Sequence, residues 1–333
     1  MAAAPNDVRA RDAINALRNT INERLPELVV EREPVGLYEP VRYVLRSGGK
    51  RLRPILLIAA SRVFGSNDDD ALPAALAVEV FHNFTLVHDD IMDHADERRG
   101  QPTVHVKWDE STAILCGDFL LSLAYHLLAK SGGHARTHAL IGRFQQMVAR
   151  LCEGQALDKA FETRAEVSVH EYLQMVDRKT GALLKASLEL GAMIGGAGKD
   201  EILTMMEIGF NAGRAFQIKD DLLDLTADDD RWGKRIGGDL TEGKKTYLLL
   251  RAIEQSAGRD REWFLRIVRD GGLALEKVDE ARERMSRSGV LEDARTEVLR
   301  YSRLATDATK GLGKSPAADM LVWLLNQMQE RLH

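Results

Sequence analysis

The sequence predicts an all-α protein, and three observations carry that expectation. Apolar residues recur with a 3.6-residue period along Ala- and Leu-rich stretches, period-2 runs of Val, Ile and Thr are nearly absent, and only eight prolines interrupt 333 residues. Ile14, Leu17, Ile21 and Leu25 form one helical stripe, which Pro26 ends. Pro54 opens a helix that runs through Leu56, Ile58 and Ala60 to Phe64, where Gly65 closes it. Pro73 starts another, long enough to reach Asp93. Further helices are expected over 111–130, 135–162, 168–195, 200–226, 244–256, 260–270, 274–288, 290–309 and 316–331. The breaks carry the expected punctuation: Ser131-Gly132-Gly133, Gly195-Gly196-Ala197-Gly198, Gly271-Gly272 and Gly311-Leu312-Gly313. Residues 228–243 read as the most irregular segment, either a mobile flap or a solvated loop, with Gly233, Gly237, Gly238 and Gly243 supplying backbone freedom.

At roughly 150 residues per domain the length suggests two domains. However, no Pro/Ser-rich linker, composition shift or fixed-period repeat divides the chain. Residues 1–333 are therefore expected to form one large helical bundle around a central cavity. Forty-six Lys and Arg against 51 Asp and Glu give a formal charge of −5, which argues against a dedicated nucleic-acid binder. The two cysteines, Cys116 and Cys152, are too few for a disulfide framework and are expected to be small buried hydrophobes in a reducing compartment. No apolar run approaches the roughly 18 residues of a membrane span. The N-terminus lacks the apolar block of a secretory signal and carries Asp7, Asp12 and Glu23, which a transit peptide avoids; a cytoplasmic protein is expected.

Two aspartate clusters stand out. In Asp89-Asp90-Ile91-Met92-Asp93, the spacing of four puts Asp89 and Asp93 on one helix face a turn apart. Like charges there weaken a helix, so the pair needs a counter-charge unless it is simply a solvated acidic face. Asp220-Asp221-Leu222-Leu223-Asp224 repeats the D-D-x-x-D pattern after another apolar helix. Two such faces in one bundle are expected to oppose each other across a cavity. Aspartate oxygens with water completing the shell suit Mg²⁺, which leaves room for substrate phosphates. No Walker-type glycine loop and no His/Cys spacing for zinc is present.

Basic residues fit the same chemistry. Gly48-Gly49-Lys50-Arg51-Leu52-Arg53-Pro54 is a cationic turn feeding a helix, where backbone N–H groups, the helix dipole and the side chains make an anion site. Arg98-Arg99-Gly100 follows Asp93, and Lys179-Thr180-Gly181, Lys234 and Lys244 add further cations. Each alone is an ordinary surface charge, whereas their co-occurrence with two aspartate clusters points to diphosphate binding.

With these motifs in place, the chain resembles the trans-isoprenyl diphosphate synthases, or polyprenyl synthetase family, over about residues 40–250. GGKRLRP (48–54), LVHDDIMD (86–93), ERRGQPTVH (97–105), GDFLLS (117–122), KTG (179–181), FQIKDDLLD (216–224) and GGDLTEGKKTY (237–247) carry the resemblance in order. It implies the isoprenoid synthase bundle and three magnesium ions with diphosphate bound. Asp89, Asp93 and Asp220 match metal ligands, while Asp90, Asp221 and Asp224 match supporting positions. Lys50, Arg53, His82 and Arg99 match the isopentenyl diphosphate pocket. Arg98, Lys179 and Lys234, with Lys244 nearby, match groups that hold the allylic diphosphate. Thr180 and Gln217 resemble polar residues near the developing cation, and Phe216 resembles the ring beside the homoallylic substrate. Gln155 and Asp158 fall in a family-like GQxLD sequence with supporting roles.

The implied reaction is head-to-tail elongation of an allylic diphosphate by isopentenyl diphosphate, in a homodimer without nucleic acid or transmembrane segment. The helix before Asp89 is expected to wall the product cavity, with Phe84, Phe81 and Val78 lying 5, 8 and 11 residues upstream. At about 1.5 Å per residue, Phe84 lies roughly 7–8 Å and Phe81 roughly 12 Å along the axis from the metal site. In this family a bulky residue at the first position blocks long products, and Thr85 keeps its neighbour small. The combination resembles geranylgeranyl diphosphate (C20) synthases most, then farnesyl (C15) synthases; Phe81 and Phe84 as plain core aromatics is the competing reading. A terpene cyclase is disfavoured by Asp224 in the second cluster and by the second anion pocket. A non-catalytic subunit is disfavoured by retention of all six aspartates, and a plain interaction bundle remains the last alternative. His88 is expected to be a hydrogen-bonded structural residue.

Overall fold

The computed structural model describes residues 5–227 and 236–329. They form sixteen α-helices, two short 3-10 turns and one two-stranded hairpin, so the all-α expectation holds. In chain order the helices are α1 (Pro5–Glu27), α2 (Val35–Arg46), α3 (Leu52–Val63), α4 (Asp68–Met92), α5 (Val104–Lys107), α6 (Glu110–Leu128), α7 (Gly133–Thr163) and α8 (Val169–Lys179). They continue as α9 (Gly181–Gly195), α10 (Lys199–Thr226), α11 (Gly238–Thr241), α12 (Tyr247–Gln255), α13 (Gly258–Arg269), α14 (Val278–Arg287), α15 (Val290–Ala308) and α16 (Pro316–Gln329). The hairpin pairs β1 (Glu97–Arg98) with β2 (Gln101–Pro102), antiparallel.

The contacts divide the chain into two compact units. The first comprises Met1–Gln146, Ala186–Met206 and Gly311–Leu324; the second comprises Met147–Lys185, Glu207–Lys310 and Leu325–His333. In the first, α4 packs along α3 and α6, with α1 and α2 alongside. Its interior around α4 is largely apolar: Ala71, Ala74, Leu76, Val78, Val80 and Phe81 are all buried, with Glu79, Asn83 and Asp90 among the buried polar exceptions. In the second, Phe264, Met285, Val290, Leu249 and Ile218 centre a core built by α10 and α12 to α15.

Several helix ends depart from the sequence expectation, each for a local reason. α4 begins at Asp68, upstream of Pro73, because the Asn67 side chain accepts from Asp70 N at 2.9 Å and Asp68 to Asp70 complement the helix dipole. Pro54 is the third residue of α3, where a missing N–H costs nothing because the first four helix donors have no intrahelical partner. The 168–195 stretch is two helices, broken at Thr180, and α8 starts on a Ser168/Glu171 capping box. α2 was not expected at all. Its Pro34 and Pro40 hide an amphipathic helix that buries Val41, Val44 and Leu45.

One further expectation is refined and one corrected. α6 is long and, on average, apolar enough to cross a membrane by length and composition, although polar residues interrupt any continuous apolar run. Asp118 and Ser122 are among those polar residues, and Ala113, Cys116, Leu120 and Ala124 are buried, as in a core helix. Cys116 is buried, and that burial pushes its thiol up to about 12, whereas Cys152 is exposed and is not the buried hydrophobe expected.

Candidate active site

In the first unit the acidic end of α4 separates its carboxylates by burial. Asp90 is buried and accepts from Arg98 Nε at 2.7 Å and Nη2 at 2.6 Å; Asp89 is half-buried and Asp93 exposed. Burial raises the Asp90 carboxyl above its ordinary value, and the Arg98 guanidinium opposes the shift. Arg98 ends β1, and the two-residue turn that follows takes positive φ at both Arg99 (56°) and Gly100 (72°), the geometry that closes a tight hairpin. That turn sends Arg98 to Asp90 and Arg99 the other way, onto Ser47 Oγ (3.3 Å) and the Gly48 carbonyl.

The cations expected to bind one diphosphate gather in this same unit. Arg53 Nη1 lies 3.2 Å from His82 Nε2, and Arg53 Nε is buried with no protein partner among the described residues. His82 sits among Arg53, Arg99, Arg98 and Arg51. Burial first, then those charges, hold it well below its ordinary value, so it is a neutral acceptor for the Arg53 N–H. Lys50, next to Arg51 in the chain, is exposed. A buried guanidinium N–H amid like charges is chemically suited to donate to an anion.

In the second unit, backbone contact without intervening side chains sets the spacing. A Cβ on Gly154 of α7 would lie 2.3 Å from Lys179 N, and one on Gly213 of α10 would lie 2.9 Å from Gly181 Cα. Only glycine permits either approach. The first contact brings Asp158, one turn on, to Lys179 Nζ at 2.5 Å. The second brings Thr180 Oγ1 to Gln217 Oε1 at 2.8 Å. Gln217 Nε2 in turn donates to Asp221 Oδ1 at 3.0 Å. Asp221 is buried, and its Oδ2 accepts from Tyr172 OH (2.5 Å) and from Tyr247 N–H (2.9 Å). Burial and then the charge of Asp239 push Asp221 up to about 8 despite those three donors. The Tyr172 phenol is shifted well above its ordinary value by burial and then by Asp221, so it stays a donor. Buried Asp224 accepts from Asp239 N at 3.2 Å, and Asp220 is half-buried, as is Phe216.

Asp90, Asp221 and Asp224 thus face protein donors, while Asp89, Asp93 and Asp220 keep access to solvent. Among the described residues no three His, Cys, Asp or Glu side chains converge into an all-protein cage. That donor set fits Mg²⁺, which keeps several waters and takes one or two carboxylates plus substrate phosphates. Lys234 lies outside the described residues, and Lys244 is exposed and paired with Glu242 at 2.7 Å. Tyr172 and the Tyr247 N–H were missed in the sequence. The seven-residue spacing of Tyr172 from Lys179, two turns on one face of α8, was the available signal.

The wall upstream of Asp89 is aromatic. Phe84 is half-buried, with its ring 4.8 Å from the His88 ring and 5.3 Å from that of Phe81. Phe81 is fully buried and meets Phe144 edge-on at 5.2 Å, and Phe144 meets Tyr125 likewise. Thr85 is buried with its hydroxyl on the His82 carbonyl at 2.8 Å. His88 Nε2 lies 3.3 Å from the Ile114 carbonyl, a structural contact.

The family model for polyprenyl synthetase matches residues 34–285. The chain belongs to the polyprenyl synthetase family. Members of this family are prenyltransferases, and so is this enzyme. It is 38% identical over 321 residues to the geranylgeranyl diphosphate synthase of Methanosarcina mazei, which covers 96% of this chain and 97% of that protein. It is 43% identical over 260 residues to the geranylfarnesyl diphosphate synthase of Natronomonas pharaonis, covering 73% of this chain and 76% of that one. Among solved structures, the geranylgeranyl pyrophosphate synthetase of Pyrococcus horikoshii superposes with a TM-score of 0.91 at 36% identity, over 97% of this polyprenyl synthetase and 98% of its counterpart.

Proposed function

We propose that this chain condenses isopentenyl diphosphate with an allylic diphosphate and releases geranylgeranyl diphosphate (C20). The observation that carries the proposal is the pairing of Arg53, on α3 with a buried Nε–H that has no partner among the described residues, with His82 on α4, the helix whose end carries Asp89 and Asp93. Lys50, Arg53, His82 and Arg99 bind the isopentenyl diphosphate. Arg98, Lys179, Lys234 and Lys244 hold the allylic diphosphate, and Asp89, Asp93 and Asp220 hold magnesium, supported by Asp90, Asp221 and Asp224. When bound, Mg²⁺ neutralises charge on the diphosphate and makes it a better leaving group.

The allylic C–O bond breaks and its electron pair departs with the diphosphate. The Thr180 hydroxyl and Gln217 carbonyl dipoles face the carbon that becomes positive, and Phe216 lies beside the attacking double bond. The new C–C bond forms from that double bond, and a proton is lost to the departed diphosphate, so no separate base is needed. The lysines and arginines stabilise the growing negative charge of the leaving group, and an apolar cavity keeps water from the cation. Phe84 is the floor that stops growth, backed by Phe81. The enzyme acts as a homodimer, as the family resemblance implies.

Chromatography of products from dimethylallyl, geranyl and farnesyl primers, with and without EDTA, tests this. A C20 product that disappears with EDTA supports it; cyclic hydrocarbon release would replace it with a cyclase. A longer C25 product is the second reading, favoured by the likeness to the Natronomonas enzyme, and C15 is the shorter alternative.

A further inference from the structure

We propose that the buried Arg51–Glu79 ion pair is the positioning device of the isopentenyl diphosphate site, holding the Ser47–Arg51 loop in the bend that presents Lys50 and Arg53 without itself touching substrate. The proposal rests on the assignment of Lys50, Arg53, His82 and Arg99 to that substrate. Arg51 lies among these cations, yet its side chain is 2% exposed and that of Glu79 is 3% exposed. Each of its three guanidinium nitrogens makes one hydrogen bond. Nη1 donates to Glu79 Oε1 (2.6 Å) on α4, Nε to Asn22 Oδ1 (2.8 Å) on α1, and Nη2 to the Ser47 carbonyl (2.5 Å) at the start of its own loop. Three of its five N–H donors are taken by these acceptors, and the side chain is 2% exposed, so burial keeps the fork from a ligand phosphate.

The backbone explains why such a clamp is needed. Arg51 adopts φ 51°, ψ 33°, a left-handed conformation that is sterically unfavourable for a residue with a side chain unless its surroundings hold it there. The bend caps α3 and places Arg53 at its second residue, directed at His82. Arg18 Nε holds the Lys50 carbonyl at 3.3 Å, fixing the loop from the other side. Gly49 is flanked by two guanidiniums: a Cβ there would lie 3.2 Å from Arg99 Nη1 and 3.4 Å from Arg51 Nη1. Glu79 sits three residues before His82, so one face of α4 carries both the anchor and the partner of Arg53. The Glu79 charge also opposes the cost of burying Arg53 and Arg99. A buried ion pair of this kind specifies a conformation more than it adds stability.

The test compares KM for isopentenyl diphosphate and for the allylic primer, with melting temperature, in wild type, Glu79→Gln, Arg51→Lys and Asn22→Ala. Glu79→Gln is expected to raise KM for isopentenyl diphosphate about 10-fold or more while the allylic KM stays within about two-fold. Arg51→Lys is expected to fail likewise, because an ammonium cannot span three acceptors in one plane. Asn22→Ala removes one hydrogen bond at an exposed helix position and keeps the ion pair, so it decides the matter if the others do not fold; a rise of about two- to five-fold in the same KM alone is expected. Equal changes in both KM values, or a lowered melting temperature with both unchanged, would overturn the proposal. Wild type without condensation activity would instead overturn the assignment on which it rests.

Discussion

Thr180 Oγ1 donates to Gln217 Oε1 across 2.8 Å, joining residues 37 apart in the chain at the point where α8 gives way to α9. Gln217 passes the chain of donors on to Asp221, which Tyr172 and the Tyr247 N–H also hold. The helix break and the second aspartate cluster are therefore one hydrogen-bonded unit.

Thr180→Val keeps the shape and removes the donor, leaving Gln217 to reorient. A hydrogen bond between two neutral groups is worth about 0.5–1.5 kcal/mol, so kcat should fall roughly 2- to 13-fold with KM for isopentenyl diphosphate unchanged. Steady-state kinetics on both substrates checks this, and an unchanged kcat would remove Thr180 from the reacting centre.

His82 carries the pH prediction. The folded chain disfavours a proton that the unfolded chain accepts near 6.5, so this contribution to stability is complete above that value and is lost as the pH falls below it. Urea unfolding between about pH 7.5 and pH 5.5 should show stability falling by up to about 1.4 kcal/mol per pH unit from this group. In His82→Gln that component should vanish; a slope identical to wild type would assign it elsewhere.

Phe84→Ala opens the floor above Phe81, which stays packed on Phe144. Products should lengthen by about one or two isoprene units, since each occupies roughly the depth separating Phe84 from Phe81 on the helix. Thin-layer chromatography of the dephosphorylated alcohols reads the change, and an unaltered C20 product would show that the stop lies elsewhere.

Removal of one aspartate should have different consequences at adjacent positions. Asp93→Asn takes away an accessible carboxylate and should raise the magnesium needed for half-maximal activity about 10-fold, leaving the melting temperature unaltered. Asp90→Asn releases Arg98 from a buried partner and should cost about 1–3 kcal/mol of stability as well as activity. Metal titrations paired with thermal melts separate the two, and identical profiles would refute the division.

Gly154→Ala should be among the most damaging single-methyl additions in the chain. Its Cβ would fall on Lys179 N and the Arg178 carbonyl carbon, backbone atoms that cannot move aside without shifting the helix break. A loss of about 3 kcal/mol or more is expected in chemical denaturation. A variant of wild-type stability would mean that α7 adjusts freely.

Much of this was legible because it is periodic or charged. The stripe of Ile14, Leu17, Ile21 and Leu25 is buried as its spacing required, and each D-D-x-x-D cluster lies at the end of an apolar helix. What could not be read depends on atoms far apart in the chain. Thr180 looks like mid-helix until α10 presses Gly213 against Gly181, and Asp221 looks like its neighbours until Tyr172 and Tyr247 cover it. The hairpin at 97–102 escaped notice because two paired residues per strand leave no alternation to detect. Pro40 concealed α2: as the sixth of twelve residues it forgoes an intrahelical hydrogen bond, a cost offset by the burial of Val41, Val44 and Leu45.

Gly213 resting on Gly181 means that the reacting groups of the second unit are gauged by main chain against main chain. Side-chain substitutions accumulating around them have nothing there to thicken or thin. Phe84, in contrast, is a removable ring at the position proposed to set product length. A lineage can therefore retune how long a molecule it makes, one residue at a time, while the apparatus that starts each addition keeps its dimensions.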